Sequence, residues 1–108
     1  MNLRLVTFLA LFTLSYPLAA APQCSNEAVE QARKLLAFHS GEGDLISVEG
    51  QARELPPIKS PADSKQTFAV LEVLGHIYKG EYRMRLIYYR MKKDCVLVGQ
   101  EILEHARL

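Results

Sequence analysis

Residues 67–105 decide the fold, and they read TFAVLEVLGHIYKGEYRMRLIYYRMKKDCVLVGQEILEH. Apolar and polar side chains alternate along much of this stretch, and a period of two is typical of strands that bury one face. Two short interruptions, at residues 79–80 and 92–94, have the length of hairpin turns. The stretch therefore predicts three antiparallel strands, at residues 67–78, 81–91 and 95–105.

The residues before this stretch add a helix and one more strand. In residues 25–39 apolar side chains recur at steps of three and four, which predicts an amphipathic helix capped by Ser25 or Asn26. Residues 45–53 alternate and predict a strand, whereas residues 54–65 contain three prolines and predict a long loop. The expected fold is α+β: one N-terminal helix on a four-stranded antiparallel sheet, in the order α-β-β-β-β.

Residues 1–20 have the organisation of a secretory signal. Arg4 precedes the apolar run of residues 5–14, and a proline and small residues lead to a cleavage point after Ala20. The run is shorter than the roughly 20 apolar residues that span a bilayer. We therefore expect a single domain at residues 21–108 that is secreted or periplasmic, without stable membrane insertion.

The exported chain is expected to carry no net charge. The whole sequence has 13 Lys and Arg against 12 Asp and Glu, and Arg4 is removed with the signal. Proteins that bind nucleic acid are usually basic, so this balance argues against that class of partner. A content of 49 % hydrophobic residues argues against a disordered chain.

The sequence has two cysteines, Cys24 just after the predicted cleavage point and Cys95 at the start of the last predicted strand. An oxidising compartment allows such a pair to form a disulfide bond. Closing a loop of about 70 residues would stabilise the fold by roughly 4 kcal/mol in the chain-entropy model. We therefore predict that Cys24 and Cys95 are bonded.

The sheet face away from the helix is predicted to be unusually apolar. Its candidate binding surface consists of Phe68, Val70, Leu74, Tyr78, Arg83, Arg85, Ile87 and Tyr89. In the last strand, alternation adds Val96, Val98 and Ile102 to this face and puts Leu103 on the helix side. Monomers rarely expose so large an apolar patch, so we expect a protein partner or a homodimer to cover it. The alternative is a bulge near Gly75 or Gly99 that shifts the register, with long Arg and Lys stems over the face.

The order of elements resembles the cystatin-like fold, in which a helix is wrapped by an antiparallel sheet. The resemblance covers most of the exported chain but concerns architecture only. The protease-inhibiting Gln-x-Val-x-Gly turn of cystatins is absent, and the nearest strings are residues 51–54 and 98–101. Inhibition of cysteine proteases is therefore not expected, and fold analogy alone does not assign a function.

Motifs for catalysis, metal binding or a cofactor are absent from the sequence, and His39, His76 and His105 fall in different predicted elements. The first hypothesis is a non-enzymatic binding module that uses the outer sheet face, and no cofactor is expected. The second is a carrier of a small apolar or amphipathic ligand, with an anionic head group held by the basic hairpin around residues 79–93. The third is a small hydrolase that uses His76 and Glu72.

Overall fold

The computed structural model of the chain describes residue 10 and residues 20–41, 45–78 and 80–105. The predicted export signal, residues 1–20, lies outside the described residues except at two positions. The elements are α1 (Ser25–Ser40), β1 (Ile46–Val48), β2 (Arg53–Lys59), β3 (Thr67–Ile77), β4 (Gly80–Met91) and β5 (Asp94–His105). One helix packs against an antiparallel sheet, so the predicted α+β class is confirmed, with five strands instead of four.

Helix α1 lies on the sheet with a side of small and apolar residues, Ala28, Ala32 and Leu36, that is fully buried. The predicted cap is wrong. The residue before the helix is Cys24, with a φ of 74°, and no side chain among the described residues caps the helix. The Ser25 hydroxyl instead accepts a hydrogen bond from the Ala52 N–H at 3.2 Å, which ties the helix to the chain entering β2. The last helical residue is Ser40, and Gly41 after it has a φ of 73°, which suits glycine.

Strands β1 and β2 lie end to end along β3, where one strand and a loop were predicted. The expected strand at residues 45–53 ends at Val48, and the expected loop at residues 54–65 is a strand as far as Lys59. The pairing register of β2 with β3 shifts between Leu55 and Ile58, which flank the two prolines. Proline lacks the N–H that a ladder needs, so it is tolerated at an irregularity in an outer strand.

Strand β5 pairs with β4 in two registers that a bulge separates. Leu97 lies opposite Tyr88 and Gly99 lies opposite Ile87, which leaves Val98 as the extra residue. After the bulge Ile102 packs against the core, whereas Leu103 is exposed. The predicted faces of Ile102 and Leu103 are therefore wrong, because strict alternation does not survive an inserted residue.

The core lies between α1 and the β3–β4 pair. Its largest fully buried side chains are Leu36, Leu71, Val73, Met84 and Leu86. The predicted disulfide is confirmed: Cys24 and Cys95 are bonded, with their Cα atoms 5.8 Å apart. The bond joins the start of the helix to the start of β5 and so fixes the helix over one face. Among the described residues, no helix lies on the opposite face of the sheet.

Candidate binding surface

The outer face of the sheet, opposite α1, carries the residues of β3 and β4 that alternate with the core. Leu71 pairs with Leu86 and Val73 pairs with Met84 on the helix side. The residues between them therefore point away from the helix, and most of the predicted surface shares this face: Phe68, Val70, Leu74, Arg83, Arg85, Ile87 and Tyr89. Tyr78 instead lies in the turn after β3 and is exposed.

A nearly buried carboxylate occupies the centre of this face. Glu72 is 5 % exposed, and three arginines surround it. Arg53 Nη2 lies 3.0 Å from Glu72 Oε1, Arg85 Nε lies 3.5 Å from Oε2, and Arg83 Nε lies 3.6 Å from Oε2. We call Arg53, Arg83 and Arg85 the arginine cluster.

The register of the sheet explains why the arginine cluster converges on Glu72. Arg53 on β2 and Arg85 on β4 lie directly opposite Glu72 from its two sides, and Arg83 lies two residues along β4. Opposite charges on one face of neighbouring strands attract each other. Removing a carboxylate from water is costly unless it is paired, and here the arginine side chains provide both the pairing and the cover.

Apolar side chains flank the arginine cluster toward one end of the sheet. Phe68 and Tyr89 contact each other edge to face, with ring centroids 6.3 Å apart. Val96 and Val98 on β5 are 44 % and 47 % exposed, and Ile58 on β2 is 43 % exposed. We call this group the apolar strip: Ile58, Phe68, Ile87, Tyr89, Val96 and Val98. It lies largely open, while the Arg side chains cover the centre of the face.

Two concave regions adjoin the arginine cluster on the outer face. One has a volume of about 160 Å³ and is lined by Arg83, Arg85, Glu101, Ile102 and Leu103. The other has a volume of about 360 Å³ and is lined by Leu55, Pro56, Ile58, Val70, Arg85, Ile87 and Glu101. Arg85 and Glu101 border both regions, and Arg85 Nη1 lies 3.8 Å from Glu101 Oε1. This outward-facing pair therefore lies between the two depressions.

Sequence reasoning missed Arg53 and Glu101 as parts of this surface. Arg53 reaches Glu72 only because β2 pairs with β3, and the prolines of residues 54–65 had predicted a loop there. Glu101 reaches Arg85 because the bulge turns its side chain to the outer face.

Glu72 and His76, the residues of the hydrolase hypothesis, have different surroundings. The Glu72 carboxylate lies among the arginine cluster. His76 lies opposite Ser47 on one side and Glu81 on the other. Within the described part of the chain, no hydrogen bond or ion pair joins Glu72 to His76. The Glu72 carboxylate is therefore committed to guanidinium groups.

Two tyrosines on the helix side of β4 have perturbed ionisation. Burial, with a smaller contribution from the Glu27 carboxylate, raises the pKa of Tyr88 to about 12. Burial, together with the charge of Glu104 and a hydrogen bond to it, raises the pKa of Tyr82. Both shifts favour the neutral phenol in the folded protein, so they couple folding to alkaline pH.

We expect the free energy of unfolding to fall as the pH rises from about 10 to 12. In that interval Tyr88 of the unfolded chain loses its proton near the ordinary pKa of 10.0, while folded Tyr88 keeps it. Denaturant titrations at a series of alkaline pH values measure this slope. Tyr88→Phe should reduce the slope relative to wild type. An unchanged slope in Tyr88→Phe would assign the alkaline loss to other groups.

The described residues contain no cluster of three or more His, Cys, Asp or Glu that could hold a metal ion. Across the same ranges, no helix combines the length and the apolar character that crossing a membrane requires. Comparisons with protein-family models, with curated proteins and with solved structures gave no match to the chain. The function is therefore argued from the outer face itself.

Proposed function

We propose that this protein is an exported, non-enzymatic binding module that engages a protein partner through the outer face of its sheet. The observation that carries the proposal is the apolar strip beside the arginine cluster, on a face that no helix of the described ranges covers. Export is supported by the signal-like residues 1–20 and by the disulfide bond, which oxidising compartments favour.

The composition of this face suits a protein interface. Aromatic residues and arginine are enriched at the positions of protein interfaces where binding energy concentrates. Tyr89 and Phe68 supply aromatic surface, and Arg83 and Arg85 supply planar donors next to it. A partner that covers the apolar strip would remove Val96 and Val98 from water.

A protein partner is favoured over an apolar ligand carried between helix and sheet. That space is filled by Leu36, Leu71 and Met84, which are fully buried. The depressions beside the arginine cluster on the outer face are open to solvent. An open face of this kind matches a protein surface better than the deep apolar pocket that encloses a small ligand.

The test compares a variant of the apolar strip with a matched control. The full chain is expressed in its native host, cross-linked in place, and the cross-linked protein is identified by mass spectrometry, after which its Kd is measured with purified components. Val96→Ser with Val98→Ser should weaken binding by roughly tenfold or more, because apolar contact is lost. Phe38→Ser replaces a still more exposed apolar side chain, on α1, and should leave the Kd unchanged.

Equal Kd values for wild type and the strip variant would contradict the proposal. A larger loss in Phe38→Ser would also contradict it, because the interface would then lie on the helix side. Light scattering on the purified chain tests whether the partner is a second copy of the protein. If wild type is a dimer and the strip variant is a monomer, the partner is the protein itself.

A further inference from the structure

We propose that the pocket lined by Arg83, Arg85, Glu101, Ile102 and Leu103 binds a carboxylate group that the partner presents next to an apolar side chain. This inference rests on the proposed function and names the chemistry that the outer face recognises. The pocket has a volume of about 160 Å³, which accommodates one carboxylate and part of an aliphatic stem. We call it the carboxylate pocket.

The charges around the carboxylate pocket favour one negative group. The arginine cluster supplies three positive charges, and Glu72 and Glu101 supply two negative charges. One positive charge therefore remains, and a monoanion neutralises it. A phosphate dianion would leave the cluster negative, and a cation would add to the excess, so the charge favours a carboxylate.

The donors that the pocket offers are not fully used by the protein. Arg83 Nε is shielded from solvent and makes no hydrogen bond within the described residues, and its ion pair with Glu72 Oε2 is 3.6 Å long. Buried donors are normally paired, so an unpaired one indicates a missing acceptor. Guanidinium groups bind carboxylates through two parallel N–H donors, and Arg83 and Arg85 both line the pocket.

Glu101 occupies this site loosely in the free protein. Its carboxylate is 3.8 Å from Arg85 Nη1, beyond hydrogen-bond distance, and its side chain is 62 % exposed. An incoming carboxylate can therefore take the place of Glu101 beside Arg85 while Glu101 turns into solvent. The exchange replaces a weak surface pair with a closer one, and Glu101 acts as a competitor of the ligand.

The neighbouring side chains determine what the carboxylate must be attached to. Leu103 is exposed on the outer face, and Ile102 also lines the pocket. Leu55, Ile58 and Val70 line the adjacent depression across Arg85. A branched aliphatic stem next to the carboxylate fits these walls, as an acidic residue beside a valine or leucine would provide.

The experiment uses the full chain, labelled with ¹⁵N, and isovalerate as the probe. Isovaleramide is its neutral isostere, and inorganic phosphate tests the alternative anion. The signals of the arginine Nε–H groups report binding directly. We expect isovalerate to shift the Arg83 and Arg85 signals and isovaleramide to leave them unchanged.

Three variants are expected to affect the Kd for isovalerate in three different ways. Glu101→Gln removes the competitor, so its Kd for isovalerate should fall at least about threefold below that of wild type. Arg85→Gln removes a donor and should raise the Kd at least about tenfold. Arg33→Gln removes a cation from the exposed part of α1 and should leave the Kd within about twofold. Glu101→Gln leaves the ion pairs between Glu72 and the arginine cluster in place, so it tests the inference even if Arg85→Gln fails to fold.

Binding of isovaleramide as tight as that of isovalerate, tighter binding of phosphate, or weaker isovalerate binding by Glu101→Gln would each overturn the inference. The two proposals fail separately. Loss of partner binding in the strip variant without any binding of isovalerate overturns only the carboxylate pocket. Isovalerate binding with no effect of the strip variant on the partner overturns the proposed function.

Discussion

Replacing Cys24 and Cys95 by alanine is expected to lower the free energy of unfolding by about 4 kcal/mol. The disulfide joins residues separated by 71 positions, and it restricts the unfolded chain over nearly the whole described domain. Equilibrium denaturation in guanidinium chloride measures the change through the midpoint and slope. A domain of this size has a small margin of stability, so the variant should be partly unfolded at moderate temperature.

Reduced wild-type protein is the control for the Cys24→Ala, Cys95→Ala variant. Both lack the cross-link, so their free energies of unfolding should agree if the two alanines introduce no packing defect. A change below about 1 kcal/mol in both samples would show that the unfolded chain is already constrained without the bond. Thiol alkylation followed by intact-mass measurement verifies the oxidation state of each sample.

Leu36→Ala is expected to lower the free energy of unfolding by about 3 kcal/mol. Leu36 is fully buried where α1 crosses β3, and Gly75 makes room for it there: a Cβ at position 75 would lie 2.8 Å from Leu36 Cδ2. Truncation leaves a cavity that a helix bound by a disulfide cannot readily close. Losses of roughly 2–5 kcal/mol are typical for such substitutions.

Phe38→Ala is the matched control on the same helix. Phe38 is 88 % exposed, so its truncation should change the free energy of unfolding by less than about 0.5 kcal/mol. Thermal and denaturant unfolding of the two variants, measured side by side, separate packing from helix propensity. A similar loss in both would place Phe38 inside an interface of the purified protein.

Local patterns predict those parts of the fold whose neighbours are close in sequence. The helix follows from the spacing of Ala28, Ala32 and Leu36, and the β3–β4 hairpin follows from alternation with a short turn. The disulfide was predictable because two cysteines allow only one pairing. Alternation also assigned the outer-face positions of β3 and β4, such as Ile87 and Tyr89, from the sequence.

The remaining features depend on contacts that local patterns do not encode. Strand β2 exists because Arg53 and Leu55 pair with β3, although prolines follow them. The convergence of Arg53 on Glu72 needs that pairing, so the charged centre of the outer face was not predictable. The bulge at Val98 likewise depends on how β5 fits β4, because an inserted residue has no sequence signature of its own.

The bulge at Val98 places two residues of β5, Cys95 and Ile102, on the same face of the sheet. Before it, Cys95 must face the helix to bond with Cys24; after it, Ile102 must face the helix to join the core. Cys95 and Ile102 are an odd number of positions apart, so without an extra residue they would lie on opposite faces. If any one residue between them were deleted, either Cys95 could no longer face Cys24 or Ile102 could no longer face the core. For this reason length, more than residue identity, is the property of residues 96–101 that the fold cannot vary.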